Sequence, residues 1–132
     1  MSSDYGVMGA VYRALSQEMG DRVKVFHYVP SNVMPPYVVL DLNVIGRGNG
    51  LPSPHFQTRG DLTLRVWSAY EGTAELSEIL EQLSLFFDGK KLALKSGNVW
   101  FEVKKIEWLG QQSSAKNPWR EGRIELTFGV RL

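Results

Sequence analysis

Side chains that could do chemistry are few in this chain. It has two histidines, His27 and His55, and no cysteine, which excludes disulfide bonds, cysteine zinc sites and cysteine nucleophiles. A metal site needs more ligands at workable spacing, such as histidines four residues apart on a helix, and the sequence has none. The GxSxG turn that exposes a catalytic serine is also missing. The sequence therefore predicts no enzyme, no metal and no cofactor, with a small His-dependent hydrolase or transferase as the weaker alternative.

The stretch GRGNGLPSPHFQTRG, residues 46–60, has the most unusual composition, with four glycines, two prolines and two arginines. A phosphate-binding loop needs glycines that lead directly into a helix, whereas these lead into the strand-like run DLTLRVW. Loops of this length are uncommon in compact domains and are often functional. We interpret the segment, called the arm below, as an adaptable loop that contacts a partner protein.

The side chains of the arm suit contacts with a protein. Arg47, His55 and Arg59 can donate hydrogen bonds to carboxylates, and Phe56 can act as an apolar anchor. With Asn49, these are the candidate partner-contact residues. We expect the arm to be mobile in the isolated protein and to become ordered on assembly. A passive hairpin connection is the alternative.

Charge and hydropathy narrow the range of partners. The 132 residues carry 15 basic and 14 acidic side chains, so the net charge of +1 lacks the basic excess that nucleic-acid binding needs. The N-terminal residues do not have the basic start and apolar core of a signal peptide. No apolar run is long enough to span a bilayer. We therefore expect one domain over residues 1–132, kept in the cytoplasm, with no membrane and no sequence-specific nucleic acid as partner.

Hydrophobic periodicity predicts two helices. Val7, Val11, Leu15 and Met19 recur every fourth residue and predict a first helix that ends near Gly20. A second helix is predicted over residues 73–87. Its apolar face should be buried and consists of Leu76, Ile79, Leu80, Leu83 and Phe87.

Alternation of apolar and polar residues predicts the strands. They cover residues 23–29, which include His27, and residues 37–45, 61–67, 91–95, 99–109 and 123–132. Ile106 and Trp108 are out of phase with the start of their strand, and a β-bulge near Lys104 and Lys105 would restore the register. The order of elements predicts an α+β fold: a largely antiparallel β-sheet, two α-helices packed on one face and a long β-hairpin loop.

Two tryptophans fall on the polar faces of the predicted strands. Trp67 alternates with Thr63 and Arg65, and Trp100 neighbours Glu102. Large aromatic side chains on an otherwise polar sheet face are typical of a surface that meets another protein. Packing under a helix or a loop is an equal alternative.

Several short features occur in a set order and extend over nearly the whole chain, from about Val7 to Val130. They are Tyr12-Arg13-Ala14-Leu15 in the first helix, Val29-Pro30 and then Pro36-Tyr37-Val38-Val39, Val66-Trp67-Ser68 followed by Gly72, and Gly122-Arg123 before the last alternating strand. In these features the chain resembles the phage tail completion proteins of the tail terminator or head–tail joining type.

This resemblance implies structural work in a tailed phage or prophage. Such proteins are similar to one another in forming a ring, usually of six subunits, at the head-proximal end of the tail tube. The ring ends tube growth and joins the tube to the capsid neck. The implied partners are further copies of the chain, the major tail tube protein and a capsid neck or connector protein. The implied location is the virion, and the host cytoplasm during assembly. A small ligand- or nucleic-acid-binding α+β module is the alternative.

Overall fold

The computed structural model describes residues 6–47, 58–69, 74–111 and 119–131. Within these ranges the chain forms two helices and six strands around one hydrophobic core. In chain order the elements are α1 (Val7–Met19), β1 (Lys24–Phe26), β2 (Tyr37–Arg47), β3 (Thr58–Ser68), α2 (Ala74–Phe87), β4 (Lys91–Leu94), β5 (Gly97–Gln111) and β6 (Arg120–Arg131).

α1 buries the apolar stripe that predicted it. The buried residues are Val7, Ala10, Val11, Leu15 and Met19. The helix ends at Gly20, which has a positive φ of 62° and donates its N–H to the Ser16 carbonyl oxygen at 3.0 Å. Glycine adopts this conformation without the steric cost that a side chain would add.

α2 packs across the centre of the sheet, where it contacts β3, β5 and β6. Its buried residues are the five that the sequence predicts, Leu76, Ile79, Leu80, Leu83 and Phe87. The helix ends at Phe87, shortly before Gly89 with a φ of 73°. The prediction of this helix and of its buried face is therefore confirmed.

The strand order of the sheet is β1-β2-β3-β6-β5-β4. All neighbouring pairs are antiparallel except β1 and β2, which are parallel. α1 contacts both edge strands, β1 and β4. Because one helix reaches both edges, the sheet curls around the helices. We call the two faces of the sheet the helix side and the helix-free side. The predicted α+β fold, with a largely antiparallel sheet and both helices on one face, is confirmed.

Side chains of the central strands alternate between the two sides of the sheet. On β3, Leu62, Leu64 and Val66 are fully buried on the helix side. Arg65 and Trp67 alternate with them and lie on the helix-free side. Residues that pair across β2, β3 and β6 have their side chains on the same side of the sheet. These side chains therefore form rows that cross the strands. One buried row consists of Leu40, Leu64 and Ile124.

β5 contains the predicted bulge. Val103 pairs with Leu126 and Lys105 pairs with Glu125, so Lys104 is the extra residue. An extra residue shifts the alternation of a strand by one position and increases its local twist. The bulge therefore explains the change of phase seen in the sequence.

Beyond the bulge, the apolar residues of β5 again lie on the helix side, as they do before it. Ile106 pairs with Ile124, and Trp108 pairs with Gly122. Both side chains are nonetheless exposed, at 43% for Ile106 and 50% for Trp108. The helices therefore leave this end of β5 uncovered.

Several strand boundaries differ from the sequence-based expectation. β1 covers only Lys24–Phe26, so His27 is an exposed residue after the strand and not part of it. An edge strand is only as long as its pairing, and β1 pairs with no more of β2 than Tyr37–Val39. At the other end of the chain, β5 extends to Gln111 and β6 begins at Arg120, which shortens the loop expected between them.

The arm is also shorter than residues 46–60. β2 continues to Arg47 and β3 begins at Thr58, and these two residues pair with each other. Residues 48–57 lie between the strands and outside the described residues. The predicted mobility of the arm falls on that segment.

Gly60, the last residue of the predicted arm, is required for packing and not for flexibility. It is buried in β3 and pairs with Val44 on one side and Phe128 on the other. A Cβ atom at this position would clash with the backbone carbonyl of Asn43 and with the Phe128 ring. The carbonyl is held by the pairing of β2 with β3, so the clash has no simple relief.

The packing of α2 predicts the effect of truncating its central leucine. Leu80→Ala should lower the free energy of unfolding by about 2–5 kcal/mol, because Leu80 is 2% exposed and leaves a cavity. Chemical denaturation measures this change. Leu85→Ala on the same helix is the matched control, since Leu85 is 75% exposed and its truncation should change stability by less than about 0.5 kcal/mol. Equal effects of the two substitutions would contradict the orientation of α2.

The packing of Gly60 predicts that alanine is destabilising there. Gly60→Ala should cost about 1–3 kcal/mol of unfolding free energy, because the added methyl group overpacks the core. Gly9→Ala, inside α1, should instead stabilise the protein by about 0.5–1 kcal/mol. Its Cβ would meet only the end of the exposed Arg13 side chain, at 3.2 Å. Thermal unfolding of both variants tests the difference in sign, and a stable Gly60→Ala protein would show that β3 is loose at this point.

Candidate protein interface

Four aromatic side chains form a row at one end of the helix-free side. The ring centroids of Phe26 and Tyr37 are 5.8 Å apart, those of Tyr37 and Trp119 are 6.3 Å apart, and those of Trp119 and Trp67 are 6.5 Å apart. All three contacts are edge-to-face, a geometry worth about 0.5–1.5 kcal/mol per pair beyond burial. Trp67 therefore packs against Trp119, just before β6. This is the alternative in which Trp67 packs within its own chain.

Tyr37 lies in the middle of this row. Its side chain is only 6% exposed, and this burial raises the pKa of its phenol above the usual value of 10.0. Burial has this direction because the phenolate loses more hydration than the neutral phenol does. Tyr37 is thus the buried member of the row, and the other three side chains are half-buried.

Trp100 lies in a depression on the helix-free side. Trp100 and Arg59 both pair with Gly129, one from β5 and one from β3. Because Gly129 has no side chain, a depression of about 230 Å³ opens between them, and Glu102 also lines it. The ammonium of Lys91 lies 6.0 Å from the centroid of the Trp100 ring. An aromatic ring, a carboxylate and basic groups are therefore close together at one place.

The structure describes two of the five candidate contact residues. Arg59 lies in β3 and lines the depression beside Trp100. Arg47 is the last residue of β2 and pairs with Thr58. Asn49, His55 and Phe56 lie outside the described residues. Arg59, near the end of the predicted arm, therefore lies beside the depression on the helix-free side.

Acidic and basic side chains alternate over the rest of the helix-free side. Glu121 is 4% exposed, and its carboxylate lies 3.5 Å from the guanidinium of Arg123. Arg123 pairs across the sheet with Arg65 and with Glu107, whose carboxylate lies 3.5 Å from the ammonium of Lys105. The acidic neighbours offset the repulsion between the two arginines. Charges of both signs are therefore interspersed on the described part of the helix-free side.

The side chains with possible catalytic or metal-binding roles are not gathered in the described part of the chain. His27 is exposed after β1, and His55 lies outside the described residues. Among the residues described, no three His, Asp or Glu side chains come together as metal ligands would. Neither α1 nor α2 has the length and hydropathy of a membrane-spanning helix.

Two exposed apolar residues, Ile106 and Trp108, were not identified as surface residues by sequence reasoning. The alternation of β5 assigns them correctly to the apolar side of the sheet. Their exposure follows from where α2 lies, and no local pattern encodes that position. The change of phase at Lys104 was the one signal that this end of β5 is unusual.

Known structures share this fold. One is a protein of the virion of a native gene transfer agent particle, with a TM-score of 0.71 and 18% sequence identity over 96% of this chain and 95% of that chain. A second, whose name states no function, has a TM-score of 0.70 and 15% identity over 100% of this chain and 97% of that chain. No family model and no curated protein matches the sequence. At these identities the comparison establishes a common fold.

The burial of Tyr37 predicts a dependence of stability on alkaline pH. Its pKa is raised in the folded protein, so above about pH 10 the unfolded chain releases this proton more readily and the folded state loses stability. Tyr37→Phe should therefore lose less stability than the wild type between pH 8 and pH 11, as measured by urea unfolding. Tyr28→Phe is the control, because Tyr28 is 87% exposed. Identical pH profiles for all three proteins would contradict the dry environment of Tyr37.

Proposed function

We propose that this chain is a structural assembly protein of a phage-like particle, encoded by a tailed phage or prophage. The observation that carries the proposal is the fold shared with a protein of a gene transfer agent virion. The match covers 96% of this chain and 95% of the other, so the two proteins correspond as whole folds and not as a common fragment. The role is that of a non-enzymatic component of the virion, which acts by binding other virion proteins.

Within such a particle, the proposed role is tail completion. Copies of the chain form a ring, of six subunits as in the proteins that it resembles, at the head-proximal end of the tail. The ring ends the tail tube and presents a surface to the capsid neck. The order of sequence features from Tyr12 to Arg123 supports this finer role. Its partners are further copies of the chain, the tail tube protein and the neck protein.

The helix-free side and the arm supply surfaces for these contacts. A ring of identical subunits needs two different patches on each copy, and a tube and a neck need further surfaces. The depression beside Arg59 and Trp100 combines an aromatic ring with charged groups, a composition typical of contact centres. The paired residues Arg47 and Thr58 flank residues 48–57 of the arm, and Thr58 is next to Arg59, which lines that depression. We assign the arm and the depression together to a contact with the tube or the neck.

Shortening the arm tests this function. In the strain that encodes the chain, the deleted gene is supplied again either as wild type or with residues 48–57 replaced by a short Gly-Ser link. The variant should fold, because the pair Arg47 and Thr58 still closes the hairpin. We expect heads and tails that do not join, counted by electron microscopy, and at least about a tenfold loss of infectious or gene-transferring particles, since losing contact centres weakens binding by that much.

Glu81→Gln, an exposed change on α2, is the control and should restore normal particles. Unfolding midpoints of the purified proteins separate a folding defect from an assembly defect. Normal particles from the deleted strain would overturn the proposed function itself. Normal particles from the arm variant alone would overturn only the role of the arm.

A further inference from the structure

In the part of the chain that the structure describes, each edge of the sheet is covered by a strand over only part of its length. β4 and the chain just before it cover β5 from Gly97 to Phe101. The Asp88 carboxylate then accepts a hydrogen bond from the Val103 N–H. Beyond this point no strand of the described chain lies against residues 104–108 on that side. Among the described residues, this part of β5 is therefore an open edge.

The opposite edge is open in the same way. β1 pairs with β2 only at Tyr37–Val39, whereas β2 continues to Arg47. In the described ranges no strand lies against residues 40–47 on that side. The N–H and C=O groups along an open edge are a template to which another strand can pair.

We propose that these two open edges bind each other between copies of the chain, with residues 104–108 of one copy paired to residues 40–45 of the next. This inference rests on the ring of the proposed function and identifies the surface through which the ring closes. The pairs β2–β3, β3–β6 and β6–β5 are all antiparallel, so β2 and β5 run in opposite directions. When identically oriented copies stand side by side, β5 meets β2 as an antiparallel pair. The sheet then continues from copy to copy.

The main-chain groups of β5 have the orientation that this pairing requires. Phe101, on the helix side, exchanges hydrogen bonds with Lys90 and Gly89 at the β4 edge, so its N–H and C=O point to that edge. Ile106 and Trp108 lie on the same side of the sheet as Phe101. Along a strand, residues whose side chains lie on the same side of the sheet also direct their N–H and C=O groups to the same edge. The N–H and C=O groups of Ile106 and Trp108 therefore point to the β4 edge, as those of Phe101 do.

The apolar side chains of the two edges match across this pairing. Ile106 and Trp108 are exposed on the helix side of β5. Leu42 and Val44 are only half-buried on the helix side of β2. Pairing the two edges brings these four side chains together on one continuous face. Apolar surface that each copy alone exposes to water is thereby buried.

Ring closure favours this pairing over a symmetric one. A contact between two β5 edges is two-fold symmetric and ends at a dimer, whereas the ring of the proposed function needs two different edges. Lys105 is already paired with Glu107 on β5, at 3.5 Å, so this edge brings a balanced pair of charges to the contact. The partner is therefore the β2 edge of a second copy, in a head-to-tail contact that can close a ring.

The offset between the two edges agrees with ring closure. Leu42 lies in the same row as Val103, so the open part of β2 is level with the covered part of β5. Each copy must then shift along the strand direction relative to its neighbour. Closed sheets have this property, because their strands tilt and their register is staggered. The short β1 and β4 leave room for the stagger.

Cross-linking tests the pairing directly, because the chain has no cysteine and introduced thiols react alone. Ile106→Cys is combined with Leu42→Cys or with Val44→Cys and treated with a short bismaleimide, both in solution and in assembled particles. We expect covalent ladders that extend beyond dimers. Ile106→Cys with Leu85→Cys is the matched control, since Leu85 is 75% exposed but lies on α2. This control pair should give no ladder.

A second measurement uses charge to break the contact. Ile106→Lys with Trp108→Lys should weaken self-association by at least about tenfold, because it places charges at an apolar contact centre. Leu85→Lys should leave self-association unchanged. At protein concentrations where the wild type is monomeric, the unfolding midpoints of these variants should be close to that of the wild type, since the substituted side chains are about half exposed or more. Light scattering over a range of concentrations measures the association.

The outcomes separate this inference from the proposed function. If the wild type forms rings in solution or in particles but the edge pairs cross-link no more than the control, the edge pairing is wrong and the proposed function stands. If the lysine variant associates as strongly as the wild type, the edge pairing is likewise wrong. If the wild type associates with itself neither in solution nor in particles, both proposals fail.

Discussion

The contact of Leu80 with Gly122 sets the position of α2, and the rest of the molecule depends on that position. A Cβ atom at Gly122 would lie 2.7 Å from the Cδ1 atom of Leu80, so the missing side chain lets the helix approach β6 closely. α2 lies over β3 and β6, and α1 contacts both edge strands of the curled sheet. Neither α1 nor α2 covers the far end of β5, and Ile106 and Trp108 are exposed there.

Features that are encoded locally could be predicted from the sequence. The apolar residues of α2 repeat at helical spacing within one short segment, so the segment alone predicts both the helix and its buried face. The bulge at Lys104 is a change of phase within one strand and is equally local. The length of β1 depends instead on how much of β2 it can pair with, and that is set by tertiary structure. The apolar run around His27 therefore predicts too long a strand.

The candidate interface was less predictable, because it is assembled across strands. Alternation alone places Trp67 and Trp100 on the helix-free side, as expected. It does not show that Trp119 packs against Trp67, or that Arg59 meets Trp100 across Gly129. Both contacts join residues far apart in the sequence. Three of the five candidate contact residues lie outside the described ranges, and contact of all five with a partner stays a prediction.

The central position of β6 has a consequence for the order in which the chain folds. During translation, both helices and the other five strands emerge before β6, yet β6 lies between β3 and β5 and joins the two halves of the sheet. Pairing of β3 with β6 is a contact of long sequence separation, which slows folding. Until residues 120–131 have been synthesised, the nascent chain lacks the middle of its sheet and cannot bring the edges β2 and β5 into their final relation. Translation thus delays completion of the sheet until the central strand is available.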